Sequence, residues 1–184
     1  MAMTARLNEV SMYDKEILTY LHHWESEEKE RERYTCWPVL PVPDRERFIF
    51  RTRRSIAAHR LRIFILRRED HAVPIGKVMA FSYNARNHSA EFGYYLPSEN
   101  RGCGYGHIML TAFVSAMFQD EVWDVHKLYA TTASGNVPSV RLLKSLGLHL
   151  DGVIREHYWF EEGLQDQWHF SLLKREWRQK HGQL

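Results

Sequence analysis

Apolar residues along the chain switch repeatedly between a helical and a strand spacing. Residues 5–11 read as a short first strand, and Asp14 caps a helix through about residue 21, with Ile17, Leu18 and Leu21 on its apolar side. The charge run 25–33 reads as a solvated helical stretch with pairs such as Glu27–Arg31. Its sharper reading is an acidic mouth that attracts a cationic amine. Residues 37–43, Trp-Pro-Val-Leu-Pro-Val-Pro, are stiff and extended. They lead into a helix capped by Asp44 and running to about 59, with Phe48, Ile49, Thr52 and Ile56 inward. Leu and Ile alternate with Arg and Phe over 61–67, as in a strand; Asp70-His71 is a turn, and 74–83 and 89–96 are further strands. After a glycine-rich turn comes a helix whose apolar face is Ile108, Met109, Ala112, Phe113, Ala116 and Met117. A strand at 128–133 precedes a helix opened by Asn136 and stopped by Gly147. Strands 153–160 and 167–174, joined around Glu162-Gly163, make a closing hairpin. The order is therefore β-α-α-β-β-β-α-β-α-β-β.

Bulk numbers narrow the class. With 184 residues, 44% hydrophobic and 26% charged, the chain has the make-up of one globular domain spanning 1–184 that needs no staples. Its 25 basic and 23 acidic residues nearly cancel, which gives no electrostatic ground for a nucleic-acid partner. Cys36 and Cys103 form no disulfide framework, and neither a secretory signal nor a membrane-length apolar run is present, so a cytoplasmic protein with no membrane partner is expected. The eleven histidines lack metal-ligand spacing, so no metal is expected. Gly-x-Ser-x-Gly is absent too, which removes the usual hydrolase triad.

The chemistry concentrates in Glu91-Phe-Gly-Tyr-Tyr-Leu-Pro-Ser-Glu-Asn-Arg-Gly-Cys-Gly-Tyr-Gly106. A glycine turn opening a helix offers unpaired N–H groups at the positive end of the helix dipole, which suits a diphosphate. Gly102, Gly104 and Gly106 allow conformations or approaches that a Cβ blocks, and Arg101 can add a bidentate contact. The Lys-Ser/Thr pair of a P-loop is missing, since His107 follows Gly106. The spacing also departs from the dinucleotide fingerprint, and the next strand ends without an acid.

Together with Asn136-Val-Pro-Ser-Val-Arg-Leu-Leu-Lys-Ser-Leu-Gly-Leu148, this segment resembles the GNAT superfamily of N-acetyltransferases. Glu91-Phe-Gly-Tyr-Tyr-Leu96, Gly152-Val-Ile-Arg-Glu-His-Tyr158 and Phe170-Ser-Leu-Leu-Lys174 resemble most the branch of ribosomal-protein N-terminal acetyltransferases. The likeness implies an α/β (α+β) fold with a mixed, mostly antiparallel central sheet and flanking helices. It implies acetyl-coenzyme A as co-substrate, held by Tyr95, Leu96, Arg101, Gly102, Cys103, Gly104, Tyr105, Gly106, His107, Asn136 and Ser139. It also places Trp24, Tyr34 and Trp37 in the region of the acceptor pocket.

Acetyl transfer to an amine requires a held thioester, a deprotonated amine and stabilisation of developing oxyanion charge. The resemblance puts Glu91 near the acetyl group as base, against its plain reading as a polar residue on a half-exposed strand. Backbone N–H groups near Tyr95 are the expected oxyanion donors, and Pro97 favours a break in strand pairing there. Many family members have a tyrosine where this chain has Leu143, so the acid falls to Ser139, with Tyr158 and Glu156 in reserve or with solvent acting instead. Ser139 also reads as a first-turn residue bonding backbone, Asn136 as a plain N-cap, and Cys103 as a small loop filler. The acceptor stays open among a protein N-terminus, a polyamine and a small amine. A coenzyme A-binding sensor or scaffold with reduced catalysis is the alternative, and a homodimer is common among similar proteins.

Overall fold

The computed structural model describes residues 4–69 and 73–182; the turn expected at Asp70-His71 lies outside them. The elements run β1 (Ala5–Glu9), α1 (Lys15–Glu27), α2 (Arg45–Ala57), β2 (Leu61–Arg68), β3 (Pro74–Asn84), β4 (Ser89–Tyr95), α3 (Tyr105–Gln119), β5 (Lys127–Ala133), α4 (Val137–Leu146), β6 (His149–Phe160), β7 (Gly163–Leu173) and α5 (Lys174–His181). Short 3-10 turns stand at Arg31–Tyr34 and Ser98–Asn100. The expected order is present, with α5 added at the end.

The strands form one seven-stranded sheet in the order β1-β2-β3-β4-β5-β7-β6. Every neighbouring pair is antiparallel except β4 and β5. Helices cover both faces. On one, α1 and α2 bury Ile17, Leu18, Leu21, Trp24 and Ile49 against Ile63 and Ile65. On the other, α3 and α4 pack Met109, Phe113, Met117 and Leu143 against Phe64, Phe92 and Phe170. With both faces covered, β2 is buried continuously from 63 to 66, which a single-faced alternation does not anticipate.

Each expected cap is in place. The carboxylates of Asp14 and Asp44 accept from the N–H groups of Ile17 and Arg47, and the Asn136 amide oxygen accepts from that of Ser139. Gly147 ends α4 at φ 95°. Other details differ. Helix α1 continues to Glu27, because Trp24 buries and extends its apolar stripe. The charge run then leaves the helix, and Arg31 pairs with Glu25 at 3.4 Å rather than with Glu27. The inward face of α3 is rotated to include Leu110, Val114 and Phe118, because its apolar content is too even to fix an orientation by itself. The hairpin is tighter than expected: Phe160 pairs with Gly163, whose φ of 125° suits a short turn.

Candidate active site

Strands β4 and β5 pair only at Ser89–Lys127, Ala90–Leu128 and Glu91–Tyr129. Beyond that point β4 stays with β3 through Tyr95, while β5 stays with β7 through Ala133. The sheet therefore forks, and alternate N–H and C=O groups of residues 92–95 face the gap without a partner strand. This is the pairing break that Pro97 suggested.

The glycine turn closes one end of the fork. Gly102 and Gly104 adopt φ of 74° and 81°, the left-handed region that a Cβ disfavours. A Cβ at Gly102 would meet nothing within 4 Å, so glycine serves the backbone there. At Gly106 a Cβ would lie 3.0 Å from a methyl of Leu142, so this glycine lets α3 approach α4. The N–H groups of His107 and Ile108 both bond the Gly104 carbonyl. Those just before them are the donors a helix start leaves free. Cys103 and His107 are exposed at this turn, while Tyr105 is buried in the core. Arg101 points elsewhere: its Nε donates to the Leu96 carbonyl at 2.8 Å, and its guanidinium lies over the rings of Tyr34 and Tyr95.

Strand alternation divides the roles of β4 between two faces. Tyr94 joins the α3 side, where its hydroxyl shares a 2.6 Å hydrogen bond with that of Ser139 in the first turn of α4. Burial pushes the Tyr94 phenol up to about 12, so it keeps its proton at neutral pH. Glu91 and Tyr95 turn to the α1 side. Glu91 is half-buried, burial holds its pKa above the ordinary carboxylate value, and among the described residues no cation is paired with it. Tyr158 is buried close by; its pKa is raised chiefly by burial and in part by Cys36 and Glu91. Glu156 sits on an irregular, exposed stretch of β6, with its N–H on the Asp166 carboxylate. Leu143 is fully buried in the core.

On the same face as Glu91, a cavity of about 340 Å³ is lined in part by Trp24, Tyr34, Trp37, Gly93, Tyr94 and Tyr95. The three aromatic residues expected at the acceptor pocket thus come together. The run 25–33, read as an acidic mouth, reaches this cavity through Glu25, Glu28 and Arg31, but sequence reading missed the cation Lys77 that meets it. Lys77, only 7% exposed, donates to Glu25 at 3.1 Å, and Arg31 approaches the other oxygen of the same carboxylate. These cations hold the Glu25 pKa below its ordinary value against the opposing effect of burial. Glu28 lies beside Tyr95, whose pKa is raised by burial and by this carboxylate, and stands 3.8 Å from Arg101. The signal for Lys77 was a lone cation inside the apolar strand Pro74-Ile-Gly-Lys-Val-Met79.

Among the described residues, no cluster of His, Cys, Asp or Glu is suited to a metal ion, and no helix is long and apolar enough to cross a membrane.

Residues 7–149 match the model of the acetyltransferase (GNAT) domain. The chain is 26% identical over 113 residues to an uncharacterized N-acetyltransferase, YnaD, of Bacillus subtilis (strain 168), covering 61% of this chain and 64% of that protein. It is 31% identical over 91 residues to the uncharacterized N-acetyltransferase p20 of Bacillus licheniformis, covering half of each. The chain thus matches less than two thirds of either relative's length. Among solved structures, the spermidine N-acetyltransferase of Vibrio cholerae in complex with CoA and spermine superposes with a TM-score of 0.80 at 20% identity, covering 95% of this chain and 98% of that one. A dodecameric form of the same enzyme gives 0.79 at 19% identity, over 97% and 98%.

Proposed function

The chain belongs to the acetyltransferase (GNAT) family, and from that premise we propose that it transfers an acetyl group from acetyl-coenzyme A to a primary amine by direct attack in a ternary complex. The observation that carries this reading is the forked sheet, which opens beside the glycine turn and has Glu91 on the face of an aromatic cavity.

The turn suits a pyrophosphate, because Gly102 and Gly104 hold left-handed conformations and the start of α3 leaves N–H donors free. Residues 101–107 would hold that end of coenzyme A. Tyr95, Leu96, Asn136 and Ser139 would flank its thiol arm along the fork. Bound there, the thioester supplies an activated acyl group.

Glu91 attracts the acceptor's ammonium and takes its proton, directly or through water, and its raised pKa suits that task. An unpaired N–H near Tyr95 stabilises charge on the carbonyl oxygen. The Tyr94–Ser139 hydroxyl pair is the proton source beside the leaving thiolate, at a place where Leu143 offers none. Tyr158 shapes the wall next to Glu91. The strand Glu91-x-Gly-Tyr-x-Leu96 keeps a protein N-terminus, as in the ribosomal-protein branch, among the acceptors, alongside small amines.

The test is calorimetric titration with acetyl-coenzyme A, followed by thiol release against a panel of amines and N-terminal peptides. Binding with release is expected. Binding without release for any acceptor would favour a sensor or scaffold, and no binding would overturn the reading of the turn.

A further inference from the structure

Both carboxylates that line the acceptor cavity are already occupied by the protein's own cations. Glu25 is held by Lys77 at 3.1 Å and by Arg31 at 3.4 Å; Glu28 faces Arg101 at 3.8 Å. Two of the rings that would attract an ammonium group, Tyr95 and Tyr34, are taken in the same way. Lys77 Nζ lies 5.7 Å from the Tyr95 centroid, and the Arg101 guanidinium sits 5.7 Å from that of Tyr34. What remains open to a ligand is mostly apolar: Trp24, Trp37, Val39, Met79 and Phe81.

We infer that the acceptor is a small monoamine with an aromatic or apolar body, and that Lys77 is the residue that excludes polyamines. This rests on the reading of the chain as an acetyltransferase and names the substrate class of that site. A polyamine brings further ammonium groups into the cavity, and each needs a carboxylate. Glu25 can serve one only by giving up Lys77, which would leave a buried cation unpaired, a repulsive element against that class of ligand. A monoamine needs only one anion, and among the described residues no cation pairs with Glu91. The cavity of about 340 Å³ is at the lower end of the range for small-ligand sites and accommodates a ring and a short alkyl arm.

The experiment compares kcat/KM for 2-phenylethylamine, spermidine and a peptide beginning with phenylalanine, in the wild type, Lys77→Met, Lys77→Arg and the double variant Lys77→Met/Glu25→Gln. In the wild type, 2-phenylethylamine is expected to exceed spermidine by at least about ten-fold. Lys77→Met, which keeps the volume of the side chain and frees the Glu25 oxygen that Arg31 does not hold, is expected to narrow that ratio by about ten-fold or more; Lys77→Arg keeps the ratio, and adding Glu25→Gln restores it. Spermidine preferred by the wild type, or a ratio indifferent to Lys77→Met with all variants folded by circular dichroism, overturns the inference while leaving the acetyltransferase intact. A ten-fold preference for the peptide overturns the small acceptor. Thiol release with none of the three overturns both readings.

Discussion

The hydroxyl of Tyr94 on β4 lies 2.6 Å from the hydroxyl of Ser139 on α4, joining the two elements across the fork where β4 leaves β5. Neither group has an independent reason to meet the other. Tyr94 is turned to that face by strand alternation, and Ser139 is fixed in the first turn by the Asn136 cap. Ser139→Ala is expected to lower kcat by about 10²-fold, at the low end for acid catalysis because a thiolate leaves readily. The Michaelis constant for acetyl-coenzyme A should stay within a few-fold. Steady-state kinetics at saturating acceptor checks this, and full kcat would assign the proton to solvent.

Glu91→Gln should remove about 10²-fold or more of kcat with coenzyme A affinity kept by calorimetry. Stability should move the other way. The folded pKa of Glu91 is raised, so its contribution to stability is present below the unfolded carboxylate value and is lost as pH rises through the folded one. At neutral pH the glutamine variant is therefore expected to melt no lower than the wild type. In the wild type, kcat/KM should fall on the acid side at a pH above the ordinary carboxylate value, following the same group.

Arg101 is partly exposed, and its ion pair with Glu28 is long, so it contributes little to stability. Its side chain rests on the Leu96 carbonyl and the Tyr34 and Tyr95 rings, and a phosphate bound in the adjoining turn would draw it away from them. Arg101→Ala is expected to weaken coenzyme A binding by about ten-fold, as loss of one charge-assisted contact does, with the melting temperature nearly unchanged. Calorimetry and thermal denaturation separate the two effects.

Trp24 and Trp37 line the same cavity but carry different loads. Trp24 is 8% exposed and belongs to the core under α1, so Trp24→Ala should cost about 3–5 kcal/mol in urea unfolding. Trp37 is 77% exposed, and its loss should leave stability within about 0.5 kcal/mol while raising KM for the acceptor. An acceptor KM unmoved by Trp37→Ala would remove this residue from the site.

Much of the fold was legible because its signals are local. Asp14, Asp44 and Asn136 each bond a backbone N–H three residues on, so their capping depends on chain geometry that sequence spacing already encodes. The glycine turn is legible for the same reason, since positive φ at Gly102 and Gly104 is a property of those residues. Helix α5 escaped notice because a single buried apolar residue, Trp177, anchors it and no period shows. The rotation of α3 was hidden by apolar residues spread over most of its surface.

By itself, then, the sequence determined the order of elements, their caps, and the turn and Asn-led helix that carry the family likeness. These rest on contacts within a few residues, where the backbone enforces the geometry. Only the tertiary structure decided how Glu25 is neutralised, where Arg101 points and which hydroxyl meets Ser139. Lys77 is 52 residues from Glu25, and Tyr94 is 45 from Ser139. Pairings across such distances follow from the order of strands and the faces their side chains occupy, which no local spacing records.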